Sequence, residues 1–370
     1  MAFDKTFKIA SFNCYNLLRS GVIYYNKRAY SDNEYGKKLD WSADLLGRTQ
    51  ADLVGFQEVF HEEALQEMVG RVPHLEDAEV FALGASREEN ERPDDEDPDK
   101  QRAIMPKVGL ATNLEVLDRE QIKDFPDGAD LRFPNIDPAT GEETLVELPL
   151  KTFQRPILKA RVRLSNGVPA TVFVAHLKSK RPSILTDHGE DGDNPLHKAL
   201  GAVRSLVIRA AEVAALRALV LEVVNDPDEG ASRRGEPVIV IGDLNDSETA
   251  VSTRLVSGER PWLFAPFADK KRIWDTLLYN VHDLQAEQSL SGHPYSHIFD
   301  GHYEMLDHIM LSQEFNRLFR GHVGAFRNAR VYNDHLVDSA QSDERSGRVV
   351  GDHGVPVAEI KLKKEEELGD

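Results

Sequence analysis

The sequence predicts an α/β fold, and three observations predict it. The run Val238 to Ile241 is apolar without interruption and stops at Gly242-Asp243-Leu244-Asn245-Asp246, the pattern of a strand covered on both faces that ends in a polar site. Similar runs recur along the chain and interleave with segments of helical spacing, as in a fold of layered sheets and helices. With 41% apolar residues among 370, the chain can bury a substantial core. No internal repeat divides it, so one domain is expected over 1–362, with 363–370 as a solvated charged tail.

Taken in order, Phe7 to Phe12 alternates like a strand and runs into the polar Asn13-Cys14-Tyr15-Asn16. Leu18 to Asp40, rich in Tyr, Lys and Asn, reads as a loop, and helical spacing begins at Trp41 and runs to Arg48. Ala51 to Val59 is a strand ending at Gln57-Glu58, followed by a helix from Glu62 to Val69. Residues 86–102 hold a dense acidic run with no apolar residue beyond proline, so nothing offsets their ordering entropy and a mobile loop is expected. Lys107 to Leu117 and Leu145 to Leu164 read as strands around a turn-rich piece that forms a β-ribbon insertion. Pro169 to Leu177 is a buried strand that delivers His176 at its end, and Ala202 to Val224 is a long amphipathic helix. Met305 to Leu311, Ala325 to Tyr332 and Val355 to Leu362 complete the strands.

Within the central run, alternation points Asp243 and Asn245 the same way and returns Leu244 to the core, while Gly242 permits close approach of another chain segment. A plain strand-to-helix junction, with Asp246 or Ser247 capping a short helix through Glu248, is the bland alternative.

Charge and cysteine content narrow the function. Lys plus Arg number 45 against 63 Asp plus Glu, a formal charge of −18, which opposes sequence-independent binding to a polyanion over the whole surface. Any nucleic-acid contact must be local or cation-assisted. Cys14 is the only cysteine, so no intramolecular disulfide forms, and the first residues lack the apolar core of a signal peptide; a cytoplasmic location is expected. No apolar run approaches the length of a membrane span.

Six separated segments end in Asn13, Glu58, His176, Asp243 with Asn245, Asp307, and Asp352 with His353, all oxygen or imidazole groups at polar ends of apolar strands. The pieces Ser11-Phe12-Asn13, Gly55-Phe56-Gln57-Glu58, Arg155-Pro156, Ala175-His176-Leu177, Gly242-Asp243-Leu244-Asn245, Leu306-Asp307-His308 and Gly351-Asp352-His353 resemble, in the family's order, the endonuclease/exonuclease/phosphatase superfamily.

The resemblance implies a four-layered α/β sandwich of two packed, mostly antiparallel sheets with helices outside, and hydrolysis of a phosphate ester with Mg2+ or Mn2+. It makes Glu58 the main metal ligand, with Asn13 and Asp352 completing the surroundings. Asp243 takes the role of orienting and deprotonating water, Asn245 of donating to the phosphate, and His353 of contacting it with Asp307 as orienting partner. His176 is available near the leaving group, but its carboxylate partner cannot be located from sequence. Arg155 matches a phosphate-binding arginine, and Lys178, Lys180 and Arg181 follow His176 closely enough to join it. His308, on the opposite face from Asp307, is expected to be structural, and His297 and His302 are treated as surface residues.

Local sequence around AHLKSK (175–180) and YSHIFDGHYEMLDHIMLS (295–312) is most similar to bacterial extracellular-type nuclease modules. The leading expectation is therefore a nuclease acting on DNA, with RNA as a further substrate. Small-molecule, inositol-phosphate or lipid phosphoesters are the alternative, and a catalytically silent binding module is the other class. A lipid substrate calls for an exposed apolar loop or a basic amphipathic helix, and the sequence makes neither evident.

Overall fold

The structure, a computed structural model, describes residues 6–25, 27–224, 236–289, 294–319, 321–340 and 347–368. In chain order the strands that build its two large sheets are β1 (Thr6–Leu17), β2 (Leu53–Val59), β3 (Glu79–Phe81), β4 (Lys107–Thr112), β5 (Glu115–Asp124), β6 (Thr152–Arg163), β7 (Pro169–His176), β8 (Val238–Asp243), β9 (Leu278–Asn280), β10 (Asp307–Ser312), β11 (Gly324–Tyr332) and β12 (Val355–Leu362). The first sheet has the order β11-β12-β1-β2-β4-β3 and the second β9-β10-β8-β7-β6-β5. Each is antiparallel except for one central parallel pair, β1 with β2 and β7 with β8.

Those two parallel pairs explain why the polar strand ends gather. Parallel neighbours finish at the same edge, so Asn13, at the level of Gln57, lies beside Glu58 at the ends of β1 and β2, and His176 lies opposite Asp243 at the ends of β7 and β8. The antiparallel β10 starts where β8 stops, which sets Asp307 opposite Asp243.

The layers follow from burial. Ile9, Leu53, Leu110, Val174, Ile241 and Ile309 belong to one buried cluster between the sheets. Helices α1 (Asp32–Thr49) and α2 (Glu62–Val69) cover the first sheet through Leu46, Leu65 and Met68. Helix α3 (Pro195–Val224) covers the second through Leu216 and Val220. The result is a four-layered α/β sandwich of mostly antiparallel sheets with helices outside. Gly55 lets the sheets close, since a Cβ there would meet Ile241 Cγ2 at 2.7 Å. A Cβ on Gly242 would overlap the Ala175 carbonyl, so only glycine allows β8 to lie this close to β7.

Several elements differ from the sequence reading. Helix α1 starts at Asp32, nine residues before the expected Trp41, because Ser31 and Glu34 form a capping box: Glu34 N donates to Ser31 Oγ at 3.3 Å, and Ser31 N to Glu34 Oε2 at 2.9 Å. Helix α3 starts at Pro195 rather than Ala202. The helix after β8 begins only at Val251, and Asp246 is not its cap but accepts from Ser252 Oγ at 2.6 Å and Arg209 Nε at 3.2 Å.

Residues 86–102 are not a loop without structure. They contain a helical turn at Arg87–Asn90 and a strand at Glu91–Pro93 that pairs with Gln101–Ala103. Polar contacts replace the missing apolar burial: Asn90 Nδ2 donates to Phe60 O at 2.7 Å and Met105 O at 2.8 Å, and Arg19 pairs with Glu91 at 2.8 Å. The turn-rich piece is a hairpin of Arg132–Ile136 and Glu143–Glu147. The charged tail forms a short turn at Glu365–Glu367 and Leu368 packs on the core, while 369–370 lie outside the described residues.

Candidate active site

The strands deliver the polar residues through backbone kinks. Pairing of β1 with β2 slips between Asn13 and Leu17, and Tyr15 and Asn16 take positive φ of 48° and 62°. Glu58 and Asn245 do the same at 59° and 56°. Non-glycine residues rarely adopt this region, and such strain concentrates where function fixes a side chain. The kinks turn these side chains toward one edge of the two sheets, where Asn16 N donates to Glu58 Oε2 at 2.9 Å.

At the centre lies Asp243. Its Oδ1 accepts from Asn245 N at 2.9 Å and its Oδ2 from Asn13 Nδ2 at 3.1 Å. The same Oδ2 is 3.5 Å from His176 Nε2 and 4.0 Å from His353 Nε2. His353 Nδ1 donates to Asp307 Oδ2 at 2.7 Å, so the imidazole bridges two buried carboxylates. Burial, followed by the nearby Asp307 charge, pushes the Asp243 carboxyl up to about 7. Burial alone would lower His353, but Asp307, through charge and hydrogen bond, together with Asp243 and Asp352, holds it well above the usual imidazole range. His176 goes the other way: burial, then Arg155 and His353, keeps it well below that range and therefore neutral.

No family model matches the chain, and no curated protein matches it. Among solved structures, truncated Caenorhabditis elegans TDP2 superposes with a TM-score of 0.50 at 11% identity, covering 96% of this chain and 98% of that one. An endonuclease/exonuclease/phosphatase from Bacteroides vulgatus gives 0.49 at 13% identity, covering 97% of this chain and all (100%) of that one. The human Nocturnin catalytic domain with bound sulfate gives 0.48 at 15%, covering 97% and 95%. The chain has the endonuclease/exonuclease/phosphatase fold.

Within this fold the edge carries a set of oxygens suited to a divalent cation. Asp352 Oδ1, Asp307 Oδ1 and Asn16 Oδ1 are buried and have no hydrogen-bond partner among the described residues. Burial and then the Asp352 charge raise the Glu58 carboxyl, the signature of acids converging on one spot. Carboxylate oxygens of this kind suit a hard cation that prefers few carboxylates and retained water, although Glu58 is in neither of the groups whose ligand atoms converge. Two groups of side chains have ligand atoms within 4.8 Å of one another: His297, Asp352 and His353, and Asp243, Asp307 and His353.

Other expected residues sit differently. Asn13 Nδ2 holds Asp243 and its Oδ1 accepts from Tyr15 N at 3.0 Å, so its amide is occupied within the protein and Asn16 offers the freer oxygen. Asn245 Nδ2 donates one hydrogen to Leu177 O at 3.0 Å, leaving one for a ligand. Arg155 Nη1 also donates to Leu177 O at 3.0 Å. Lys180 is paired with Glu304 at 2.7 Å and Asp246 at 3.5 Å, so it is not the free phosphate clamp its position suggests. The amine of Lys178 is half-buried, and burial, followed by Arg155, lowers it. Arg181 is exposed. Among the described residues no carboxylate meets His176 Nδ1, which is buried without a partner.

His297 is not a surface residue. Its backbone bridges His353 and its ring centroid lies 4.8 Å from that of His353. His302 is exposed, as read. His308 lies in the interior, where Nδ1 faces Asn280 Nδ2 at 2.9 Å and Nε2 faces Asp246 O at 2.9 Å; this network assigns the proton to Nε2. The sequence reading also missed Glu212 and Arg209 on α3. Glu212 accepts from Gln154 N at 2.9 Å and Lys178 N at 2.7 Å, and Arg209 Nη1 donates to Lys178 O at 3.1 Å, which together fix the turn after His176. Their signal was two charges on the buried side of an otherwise apolar helix.

Proposed function

We propose that the protein is a divalent-metal-dependent phosphodiester hydrolase whose substrate is nucleic acid, DNA first. One observation carries the reading: Asp243, raised to about 7, stands between His176 and the Asp307-bound His353, at the edge where Glu58 and Asp352 converge. This joins a base near neutrality, a cationic imidazole and a metal-ready carboxylate pair, the three needs of phosphoester hydrolysis.

Asp243 receives the proton of the attacking water, and its raised pKa matches a general base working near neutral pH. Asn13 and Asn245 N hold its two oxygens. His353, kept protonated by Asp307, donates from Nε2 to a phosphate oxygen. The remaining amide hydrogen of Asn245 and the guanidinium of Arg155 add donors, and Lys178 supplies charge. Neutral His176 offers one ring N–H toward the leaving oxygen. Magnesium or manganese held by Glu58 and Asp352 would supply charge to the phosphate and ease activation of water.

The edge takes a few phosphates at most, which reconciles it with the charge of −18. A cytoplasmic site of action accords with one buried, unpaired cysteine, Cys14. No helix among the described residues is long and apolar enough to cross a membrane.

A second reading has its own support. Trp262, Leu263, Phe264 and Phe267 are 69% to 73% exposed, an apolar loop of the kind the sequence did not make evident, and it suits a lipid phosphodiester. The deciding assay offers supercoiled plasmid, single-stranded oligonucleotide, an inositol phosphate and a phospholipid vesicle side by side with magnesium. Preferred cleavage of either polynucleotide supports the nuclease; release from the vesicle or inositol phosphate with DNA left whole replaces it.

A further inference from the structure

Tyr25 occupies an unfavourable backbone position with its ring half open to solvent. It follows the short strand Val22–Ile23 in a tight turn closed by Lys27 N donating to Tyr24 O at 3.0 Å. Its φ is 48°, a conformation that such turns reserve for Gly, Asn and Asp, and that a bulky ring adopts only under constraint. The ring is 49% exposed, whereas its neighbours Tyr24, Tyr30 and Phe60 are buried. Those buried rings fix it: Tyr25 meets Phe60 edge-on at 5.8 Å and Tyr24 at 6.0 Å.

The turn also borders the active edge. Phe60 lies two residues beyond Glu58 and its N–H donates to Leu17 O at 2.8 Å, tying this ring cluster to the ends of β1 and β2. At the Tyr25 hydroxyl the charges of Glu58, Arg155 and Arg181 are felt, after burial. An aromatic ring half open to solvent, backed by Phe60 and Tyr24 and held at a strained φ, is more than the turn needs: Asn or Gly would make it at lower backbone cost.

We propose that Tyr25 is a stacking platform for a planar ring of the substrate, a nucleobase flanking the phosphate held at the active edge. The proposal rests on the phosphodiesterase reading and narrows it to nucleotide substrates. Stacking on an exposed tyrosine tolerates any base, because each has a π-face, and it contributes without requiring a broad basic surface in a chain of net charge −18.

The test compares wild type, Tyr25→Asn and Tyr25→Phe on a single-stranded DNA oligonucleotide and on the same strand carrying abasic positions, with magnesium. Wild type should prefer the base-bearing strand by roughly ten- to a hundredfold in KM, the usual scale of one base stack. Tyr25→Asn should lose most of that preference and Tyr25→Phe retain it. Tyr25→Asn should melt no lower than wild type, since asparagine suits positive φ, and this separates the platform from a folding role. An unchanged preference in Tyr25→Asn, or equal loss in both variants, overturns the platform while leaving the hydrolase standing. If wild type cleaves neither strand, the hydrolase reading on nucleic acid fails. Fluorescence anisotropy of the two strands with calcium then decides the platform separately, with equal affinities counting against it.

Discussion

Asp307 and His353 stand 46 residues apart in sequence and share a 2.7 Å hydrogen bond, Nδ1–H to Oδ2, buried at the meeting of the two sheets. The bond fixes which ring nitrogen faces Asp243 and keeps the imidazole charged. His353→Ala should lower turnover by roughly 10²- to 10⁴-fold, the scale of a charge-stabilising donor. Asp307→Asn should lower it through the pH profile, shifting the imidazole limb to lower pH. A wild-type profile in Asp307→Asn would show that the carboxylate does not hold the proton.

Metal binding should be visible in stability as well as in rate. Glu58 and Asp352 raise each other's energy when bare, and a cation that binds only the folded protein shifts unfolding by mass action. Magnesium or manganese should therefore raise the melting temperature, and excess chelator abolish activity. Glu58→Gln should melt higher than wild type in chelator and respond little to added metal. Full turnover in chelator would sink the metal assignment.

His308→Ala serves as the contrast to His353→Ala. Its ring satisfies the buried Asn280 amide and the part-buried Asp246 carbonyl, so removing it strands at least one buried polar group at a cost of about 1–3 kcal/mol. Stability should fall, measured by urea unfolding, with turnover of the folded fraction far less affected than in His353→Ala.

Acid should unfold the protein earlier than its carboxylates alone require. Burial, then the neighbouring His308, lowers His282 to about 3, below the ordinary imidazole value near 6.5. The unfolded chain then binds the proton first, so this contribution is complete above about pH 6.5 and is lost progressively as pH falls toward 3. His282→Gln should flatten the dependence of unfolding free energy on pH between 7 and 5 by roughly one proton. An unaltered slope would place the linkage elsewhere.

The acidic segment should tune encounter, not chemistry. Asn90, Glu91 and Asp94 anchor it, so deletion would disturb the fold, but Glu88, Glu89, Asp95 and Asp99 are exposed. Neutralising these four to Gln or Asn should tighten DNA binding at low salt and have little effect at physiological salt, where screening acts over about 8 Å. A change in single-turnover rate would contradict this.

The sequence by itself determined most of the central strands and the polar ends at which they stop, but not the short β3 and β9, and it ran Leu145 to Leu164 together where the structure separates Glu143–Glu147 from β6. The boundaries of α2 (Glu62–Val69) and β12 (Val355–Leu362) were legible because apolar periodicity and turn residues are local signals. The polar strand ends were legible for the same reason: an apolar run that breaks into Gly-Asp-Leu-Asn marks an edge whatever lies around it. Helix α1 was readable in principle from Ser31 and Glu34, a local cap overlooked among the tyrosines.

Only the tertiary structure decided which polar groups meet and which are already occupied. Asn13 is tied to Asp243 across 230 residues, Lys180 to Glu304 across 124, and His297 to His353 through a backbone bridge. No local pattern encodes these, because they depend on two sheets packing face to face through Gly55 and on β7 and β8 closing over Gly242. The strained positive φ of Glu58 and Tyr25 was equally silent, since neither residue type favours it as glycine or asparagine does. Such strain is held by the packed surroundings, and those exist only once the layers have assembled.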